Sequence, residues 1–111
     1  MPIPDEDKQV LTPAALAAEG LEDWRVVEGM LRTRFASGTF ATGLSLVDRI
    51  GAEAERADHH PDIDLRYPYV DVALASHDVD GITQRDIRLA RAASAIAADL
   101  GVAAEPPGES G

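Results

Sequence analysis

The fold is decided by residues 40–61, FATGLSLVDRIGAEAERADHHP. At about 100° per residue, the apolar side chains of this stretch cover an arc of about 160° and the charged ones lie opposite. The pattern predicts an amphipathic helix that is capped near Thr39 and ends before Pro61, because the residue preceding a proline is disfavoured in the α region. The apolar arc consists of Phe40, Gly43, Leu44, Leu46, Val47, Ile50, Ala54 and Ala57.

Alternating apolar residues on both sides of this helix predict two pairs of strands. Before the helix, two alternating runs flank Glu28-Gly29 and indicate a hairpin with a tight turn. After the helix, a run that includes Leu65 and Tyr67 is broken by Pro68, and alternation resumes at residues 70–74. We expect this last strand to end at His77.

Two further helices are predicted at the ends of this pattern. Thr12 and Pro13 supply an N-cap and a first-turn proline for a short helix that ends by Gly20. After the turn at Asp80-Gly81, Thr83 caps a final helix. The apolar face of this final helix consists of Leu89, Ala90, Ala93, Ile96, Ala97 and Leu100.

The predicted order of elements is α-β-β-α-β-β-α, with connections short enough for adjacent strands to pair directly. We therefore predict an α+β fold with two layers, in which helices pack on one face of a four-stranded antiparallel sheet. The length of 111 residues allows one domain, which we place at residues 1–104. We expect residues 105–111, rich in proline and glycine, to be a flexible C-terminal tail.

Charge and composition exclude several classes of function. Ten Lys and Arg oppose twenty Asp and Glu, so the net charge is -10. Direct binding to nucleic acid or to an anionic membrane is disfavoured, since both depend on basic patches. We expect a cytoplasmic protein, because residues 1–7 do not have the pattern of a secretory signal and no apolar stretch reaches the roughly 18 residues of a membrane span. The absence of cysteine excludes disulfides and thiolate chemistry.

The candidates for chemistry are the three histidines, His59, His60 and His77. The first two lie at the predicted C-terminal end of the long helix, where the helix dipole and nearby acids favour an imidazolium. A further imidazole from a strand end would complete a general acid/base arrangement. The residues alone leave another interpretation open, in which His59 and His60 only cap the helix carbonyls.

Other kinds of site are less well supported. Adjacent histidines at a helix end do not easily converge on one ion, so we predict no metal site. Residues 78–81 resemble the start of a calcium loop, but the glycine comes too early and the later acids are misplaced. The sequence also contains no Gly-x-Ser-x-Gly elbow and no phosphate-binding glycine run.

Several of these residues recur at fixed gaps that resemble the signature of the pterin-4a-carbinolamine dehydratases. The signature comprises Glu55, three residues, His59-His60-Pro61, five residues, Tyr67, nine residues, His77, eight residues and Asp86. The resemblance covers roughly residues 8 to 100 and has the spacing and structural context that make such a motif specific. It also includes Trp24, the Glu28-Gly29 turn, Phe35, Phe40, Gly81 and Thr83.

The resemblance implies a dehydratase that converts a 4a-hydroxytetrahydropterin to the quinonoid dihydropterin during recycling of a tetrahydrobiopterin-type cofactor. It implies a catalytic set in which His59 and His77 are the general acid/base pair and His60 chiefly binds and orients the substrate. It also implies that no metal or organic cofactor is used and that the protein is a homodimer or homotetramer. Substrate binding is assigned to Glu55, Asp58, Ser76 and Asp86.

Two of these assignments have alternatives. Glu55 lies one helical turn before His59, where it can orient an imidazole, bind the pterin or remain a solvated carboxylate. Asp86 lies three residues after Thr83, as in a capping box, so its place in the signature can be structural.

Three further expectations concern the wider family pattern. We interpret Trp24 and Tyr67 as core residues. Ile63 stands where animal members of the family tend to have an aromatic residue, so stacking on the pterin from this position is not available. The alternative function is a non-catalytic protein-binding or assembly factor on the same fold.

Overall fold

The structure, a computed structural model, describes residues 3–107. Its α+β architecture confirms the predicted fold class. No helix in this part of the chain is long and apolar enough to cross a membrane. After a short 3-10 helix at Asp5–Lys8, the elements are α1 (Pro13–Ala18), β1 (Arg25–Val27), β2 (Met30–Ala36), α2 (Phe40–Ala57), β3 (Asp62–Leu65), β4 (Val70–Leu74), α3 (Gln84–Asp99) and β5 (Ala103–Ala104).

The strands form one antiparallel sheet with the order β1-β2-β4-β3. A fifth short strand, β5, pairs with the end of β2 on the edge that β1 leaves free, with Phe35 opposite Ala104. This strand was not predicted, because two alanines carry no alternating pattern. The main-chain N–H of Glu105 also donates to the carbonyl of Arg34, at 2.6 Å. The remainder of the predicted tail, 108–111, lies outside the described residues.

The second strand pair is shorter than the prediction. β3 ends at Leu65, and Arg66 and Tyr69 close a turn through reciprocal main-chain hydrogen bonds. Tyr67 therefore lies in the turn and is 72% exposed, so the prediction that it is a core residue is wrong. β4 ends at Leu74, short of His77, since beyond it Ser76 forms only an isolated bridge to Gly81.

The core lies between the sheet and the helices α2 and α3, which pack against one face of it. Trp24 is buried, as expected, and packs edge-to-face on Phe35 with the ring centroids 6.0 Å apart. Its indole N–H donates to Ser94 Oγ on α3, at 3.0 Å. The largest apolar side chains that are fully buried are Phe35, Leu46, Ile50, Leu74, Ile87, Val70 and Val72.

Helix α2 has the predicted N-cap and approaches the sheet closely. The Thr39 side chain accepts a hydrogen bond from the N–H of Thr42, which confirms the N-cap. At Gly43 a Cβ would lie 2.9 Å from Leu65 Cδ1, so a larger residue would require the Leu65 side chain to shift. The buried stripe is narrower than the predicted apolar arc, since Phe40 and Leu44 are about half exposed.

Candidate active site

The C-terminal end of α2 sets the direction of the first two histidines. Asp58 caps the helix in the left-handed conformation, with φ 50° and ψ 45°. The main-chain N–H of Asp58 and that of His59 donate to the carbonyls of the last turn, including Ala54. Main-chain groups thus cap the helix, and each imidazole ring instead bonds a carboxylate through Nε2.

His59 is joined to the buried carboxylate of Asp86, with His59 Nε2 and Asp86 Oδ1 2.6 Å apart. The imidazole is nearly buried, and the carboxylate is fully so. The second oxygen, Asp86 Oδ2, accepts from Ser76 Oγ at 2.8 Å and from the N–H of Thr83 at 3.0 Å. In such a low-dielectric setting, hydrogen bonds to a charged group are strong and fix the geometry of the ring.

Asp86 also completes the capping box of α3. Its carboxylate accepts from the N–H of Thr83, and the Thr83 side chain accepts from the main chain at the start of the helix. The capping interpretation is therefore confirmed, and the same carboxylate holds His59. Ser76 and Asp86 are both inaccessible to solvent, so the structure places them behind the imidazole. Their assignment to substrate binding stays a prediction.

His60 forms a second pair with Glu55, and this pair is on the surface. His60 Nε2 and Glu55 Oε2 are 2.5 Å apart, and both side chains are largely exposed. Glu55 thus contacts the imidazole next to the one that its helical spacing suggested. Asp58, beside them, is also exposed.

His77 lies in an exposed turn formed by residues 77–80. At the base of this turn, the main-chain groups of Ser76 and Gly81 bond each other. Arg85, on α3, donates to Asp78 Oδ1 at 2.8 Å. This hydrogen bond, with the charge of Arg85, holds the pKa of Asp78 below its usual value, and His59 contributes in the same direction.

A cavity of about 190 Å³ lies beside His59, between the end of α2 and the first half of α3. Neither His60 nor His77 lines it. A larger groove of about 610 Å³ lies on the helix-free face of the sheet, bordered by Arg34, Asp71 and Pro107, and no histidine lines it. The residues that line the smaller cavity are Glu53, Ala57, His59, Arg85, Arg88, Leu89 and Ala92.

The acidic and imidazole side chains of the site pair off instead of converging on one point. His59 faces Asp86 below the surface, and His60 faces Glu55 above it. Within residues 3–107, no group of three or more His, Asp or Glu side chains is placed to hold a metal ion.

Two features of the site were not predicted from the sequence: the contact of Arg85 with Asp78, and the link from Asp86 to Ser76. Thr83 and Asp86 were detectable together as a capping box, but their link to Ser76 depends on how the turn closes. No sequence signal joins Arg85 to Asp78, seven residues earlier, because the intervening turn has no regular period.

Comparison with known proteins identifies the family. The sequence model of the pterin 4 alpha carbinolamine dehydratase family matches residues 8–96. The chain belongs to this family. A relative from Herpetosiphon aurantiacus, which carries a provisional pterin-4-alpha-carbinolamine dehydratase name, is 45% identical over 83 residues, covering 73% of this chain and 86% of the relative. The resemblance found in the signature residues is thereby confirmed.

Solved structures of family members have the same fold. A crystal structure of a transcriptional coactivator/pterin dehydratase from Brucella melitensis matches with a TM-score of 0.77 and 32% identity, over 80% of this chain and 99% of the other. A pterin dehydratase-like protein identified as a RuBisCO assembly factor in the alpha-carboxysome matches with a TM-score of 0.57 and 27% identity, over 67% of this chain and 88% of the other. The two proteins are given different roles, so the reaction has to be argued from the site itself.

Proposed function

We propose that this member of the pterin-4a-carbinolamine dehydratase family is an active dehydratase that removes water from a 4a-hydroxytetrahydropterin. The observation that carries the proposal is the His59–Asp86 pair. A nearly buried imidazole, held by a fully buried carboxylate and bordering a cavity, has the geometry of a general acid/base group. A scaffold protein has no need of such a pair.

The reaction needs two proton transfers. The bond from C4a to the hydroxyl oxygen breaks, and an acid protonates that oxygen so that it leaves as water. The N5–H bond also breaks, and its proton goes to a base. The electron pair left on N5 forms the C4a=N5 double bond of the quinonoid dihydropterin. Imidazoles titrate near neutral pH and suit both tasks. We assign the two transfers to His59 and His77.

The contact with Asp86 determines which nitrogen of His59 reacts. Because Nε2 faces the carboxylate at 2.6 Å, Nδ1 is the nitrogen left for the substrate. Nδ1 offers a lone pair when the ring is neutral and a proton when it is charged. Asp86 and Ser76 therefore act through the imidazole, by fixing its tautomer and orientation.

Substrate binding belongs to the exposed side of the site. Glu55 presents an exposed carboxylate, which can accept the N–H groups of the amino-pyrimidinone edge of a pterin. His60, bonded to Glu55, orients that carboxylate and contacts the substrate. Asp58, which is exposed and precedes His59 in the chain, is a further acceptor.

The wider setting follows the family resemblance. We place the protein in the cytoplasm, in recycling of a tetrahydrobiopterin-type cofactor, with no metal or organic cofactor of its own. A net charge of -10 supports the absence of direct nucleic-acid contact. Half-exposed Phe40 and Leu44 on α2 support a homodimer or homotetramer, which light scattering can test.

The test is the dehydration of freshly generated carbinolamine, followed by absorbance and corrected for the spontaneous reaction. We expect His59→Ala and His77→Ala each to lower the rate by about a hundredfold to ten-thousandfold. Arg91→Gln, which changes an ion pair elsewhere on α3, is the control and should retain the wild-type rate. Equal rates in wild type and both histidine variants would reject the proposal.

A second candidate function is assembly or binding of another protein. It is favoured by the structural match to the pterin dehydratase-like protein identified as a RuBisCO assembly factor. A stable protein complex, formed by a preparation without turnover above the spontaneous rate, would support this function over the enzyme.

A further inference from the structure

We propose that Arg85 is a positioning residue of the proposed dehydratase site, where it holds the turn that carries His77 in place relative to His59. The inference rests on the proposed function, because it concerns the arrangement of the two imidazoles that share the proton transfers. Arg85 touches neither imidazole in a hydrogen bond and acts through Asp78.

Arg85 joins the turn at residues 77–80 and the start of α3 to Asp7, which is far away in the chain. Its Nη2 donates to Asp78 Oδ1 in the turn, and its Nε donates to the carbonyl oxygen of Asp7, both at 2.8 Å. Nε also lies 3.3 Å from Thr83 Oγ1, at the start of α3. The Arg85 side chain is only 11% exposed, whereas that of Asp78 is 43% exposed, so water reaches the carboxylate side of this pair.

Neighbouring residues of α3 thereby hold the two proposed acid/base groups. Asp86 bonds the His59 ring directly, and Arg85 bonds Asp78, which follows His77 in the chain. Since both holding residues lie in the first turn of one helix, the helix backbone fixes the distance between them. Arg85 also lines the cavity beside His59, so the link passes along the edge of the candidate site.

The turn depends on this link because its other hydrogen bonds are main-chain bonds with Ser76 at its base, including a 3.2 Å bond from the N–H of Val79 within the turn. Ser76 and Gly81 bond each other there, and Val10 packs against Gly81, where a Cβ would come within 2.6 Å of Val10 Cγ1. In the described chain, the bond from Asp78 to Arg85 is the one side-chain hydrogen bond made by residues 77–80. Without it the tip of the turn, including exposed His77, would be free to shift.

Charge in the surroundings supports a persistent pair. The carboxylate of Asp7 is engaged by Arg88 through two hydrogen bonds, at 2.8 and 3.2 Å, and so leaves Asp78 as the carboxylate that pairs with Arg85. The hydrogen bond and charge of Arg85 lower the pKa of Asp78, which therefore stays ionised across the neutral range.

The decisive experiment is a double-mutant cycle with Arg85→Gln and Asp78→Asn, measured as kcat and KM for carbinolamine dehydration. If Arg85 acts through Asp78, each variant lowers kcat by about ten- to a hundredfold, since a displacement near 1 Å can cost that much, and leaves KM nearly unchanged. The double variant is then no slower than the slower single variant. Arg85→Lys, which keeps one donor, restores part of the loss. Multiplicative losses, or a rise of KM alone in Arg85→Gln, would mean direct contact with the substrate and would overturn the inference.

A matched control and a second readout keep the test independent of folding and of the proposed activity. Arg91→Gln breaks a pair of the same length, 2.8 Å, between α3 and Glu19, and should keep wild-type kcat. Amide hydrogen exchange at residues 77–81 should accelerate at least tenfold in Arg85→Gln and Asp78→Asn but not in Arg91→Gln. Wild type without turnover above the spontaneous rate would reject the proposed function, and the exchange data would still decide the link. Unchanged exchange in both variants would overturn it.

Discussion

The two adjacent histidines at the end of α2 have carboxylate partners at nearly equal distances but in opposite surroundings. His59 lies 2.6 Å from Asp86, with the side chains 10% and 0% exposed. His60 lies 2.5 Å from Glu55, with the side chains 55% and 77% exposed. Water screens the second pair, whereas buried neighbours hold the carboxylate of the first. Burial, and not distance, therefore distinguishes the two pairs.

The largest expected effect comes from breaking the buried pair. Asp86→Asn keeps an oxygen that can accept from Ser76 and Thr83, but it turns the atom facing His59 Nε2 into a donor, so the imidazole has to adopt the opposite tautomer. We expect kcat to fall by at least about a hundredfold, because His59 loses the group that fixes its tautomer. The free energy of unfolding should fall by roughly 1–3 kcal/mol, since bonds from buried groups to a carboxylate are replaced by weaker bonds to a neutral amide. Kinetics and urea unfolding measure the two losses, and a variant within twofold of wild-type kcat would contradict the comparison.

A buried polar group elsewhere in the core is the opposite case to Asp86, because it lacks a hydrogen-bond partner in the described part of the chain. The hydroxyl of Thr33, in β2, is buried and has no hydrogen-bond partner among residues 3–107. Thr33→Val keeps the shape and removes the unsatisfied hydroxyl, so it should raise the free energy of unfolding by about 1 kcal/mol. Urea unfolding measures this change. Thr33→Ser, which keeps the hydroxyl and loses a methyl group, is the control and should destabilise the protein.

Much of the fold follows from local patterns in the sequence. The 3.6-residue period of α2, its cap at Thr39 and the box from Thr83 to Asp86 all depend on residues within one or two helical turns. The Glu28-Gly29 turn is of the same kind, since both residues adopt positive φ, 53° and 77°, as a tight hairpin requires. Such features are encoded over a few residues and can be predicted from them.

The pairing of the histidines could not be predicted in the same way. Helical spacing placed Glu55 one turn before His59, but Asp58 turns the chain into the left-handed region and ends that phase. His59 then faces α3 and bonds Asp86, and His60 is the imidazole that bonds Glu55. β5 and the link between Arg85 and Asp78 are likewise tertiary features, which depend on segments brought together only by the complete fold.

Breaking the exposed pair should have a smaller and different effect. Glu55→Gln removes the charge of a carboxylate that is mostly in water, so the free energy of unfolding should change by less than about 0.5 kcal/mol. As a substrate-binding group, Glu55 should affect KM, which we expect to rise several-fold while kcat stays nearly constant. Steady-state kinetics of wild type, Glu55→Gln and Asp86→Asn separate the two pairs. A fall in kcat in Glu55→Gln as large as that in Asp86→Asn would remove the distinction between them.

The smallest expected effect concerns acid stability at a third, partly exposed pair, Asp78 with Arg85. Because the hydrogen bond from Arg85 lowers the pKa of Asp78 in the folded chain, the folded state binds a proton less readily than the unfolded one. The stabilisation is complete above the pKa of an unfolded aspartate, about 3.9, and is lost as the pH falls through the lower folded value. Urea unfolding between about pH 2 and pH 6 should therefore show a difference between wild type and Asp78→Asn that shrinks on acidification. A difference that stays constant over this range would show that the carboxylate charge of Asp78 does not contribute, and that the pair resembles the exposed one at His60.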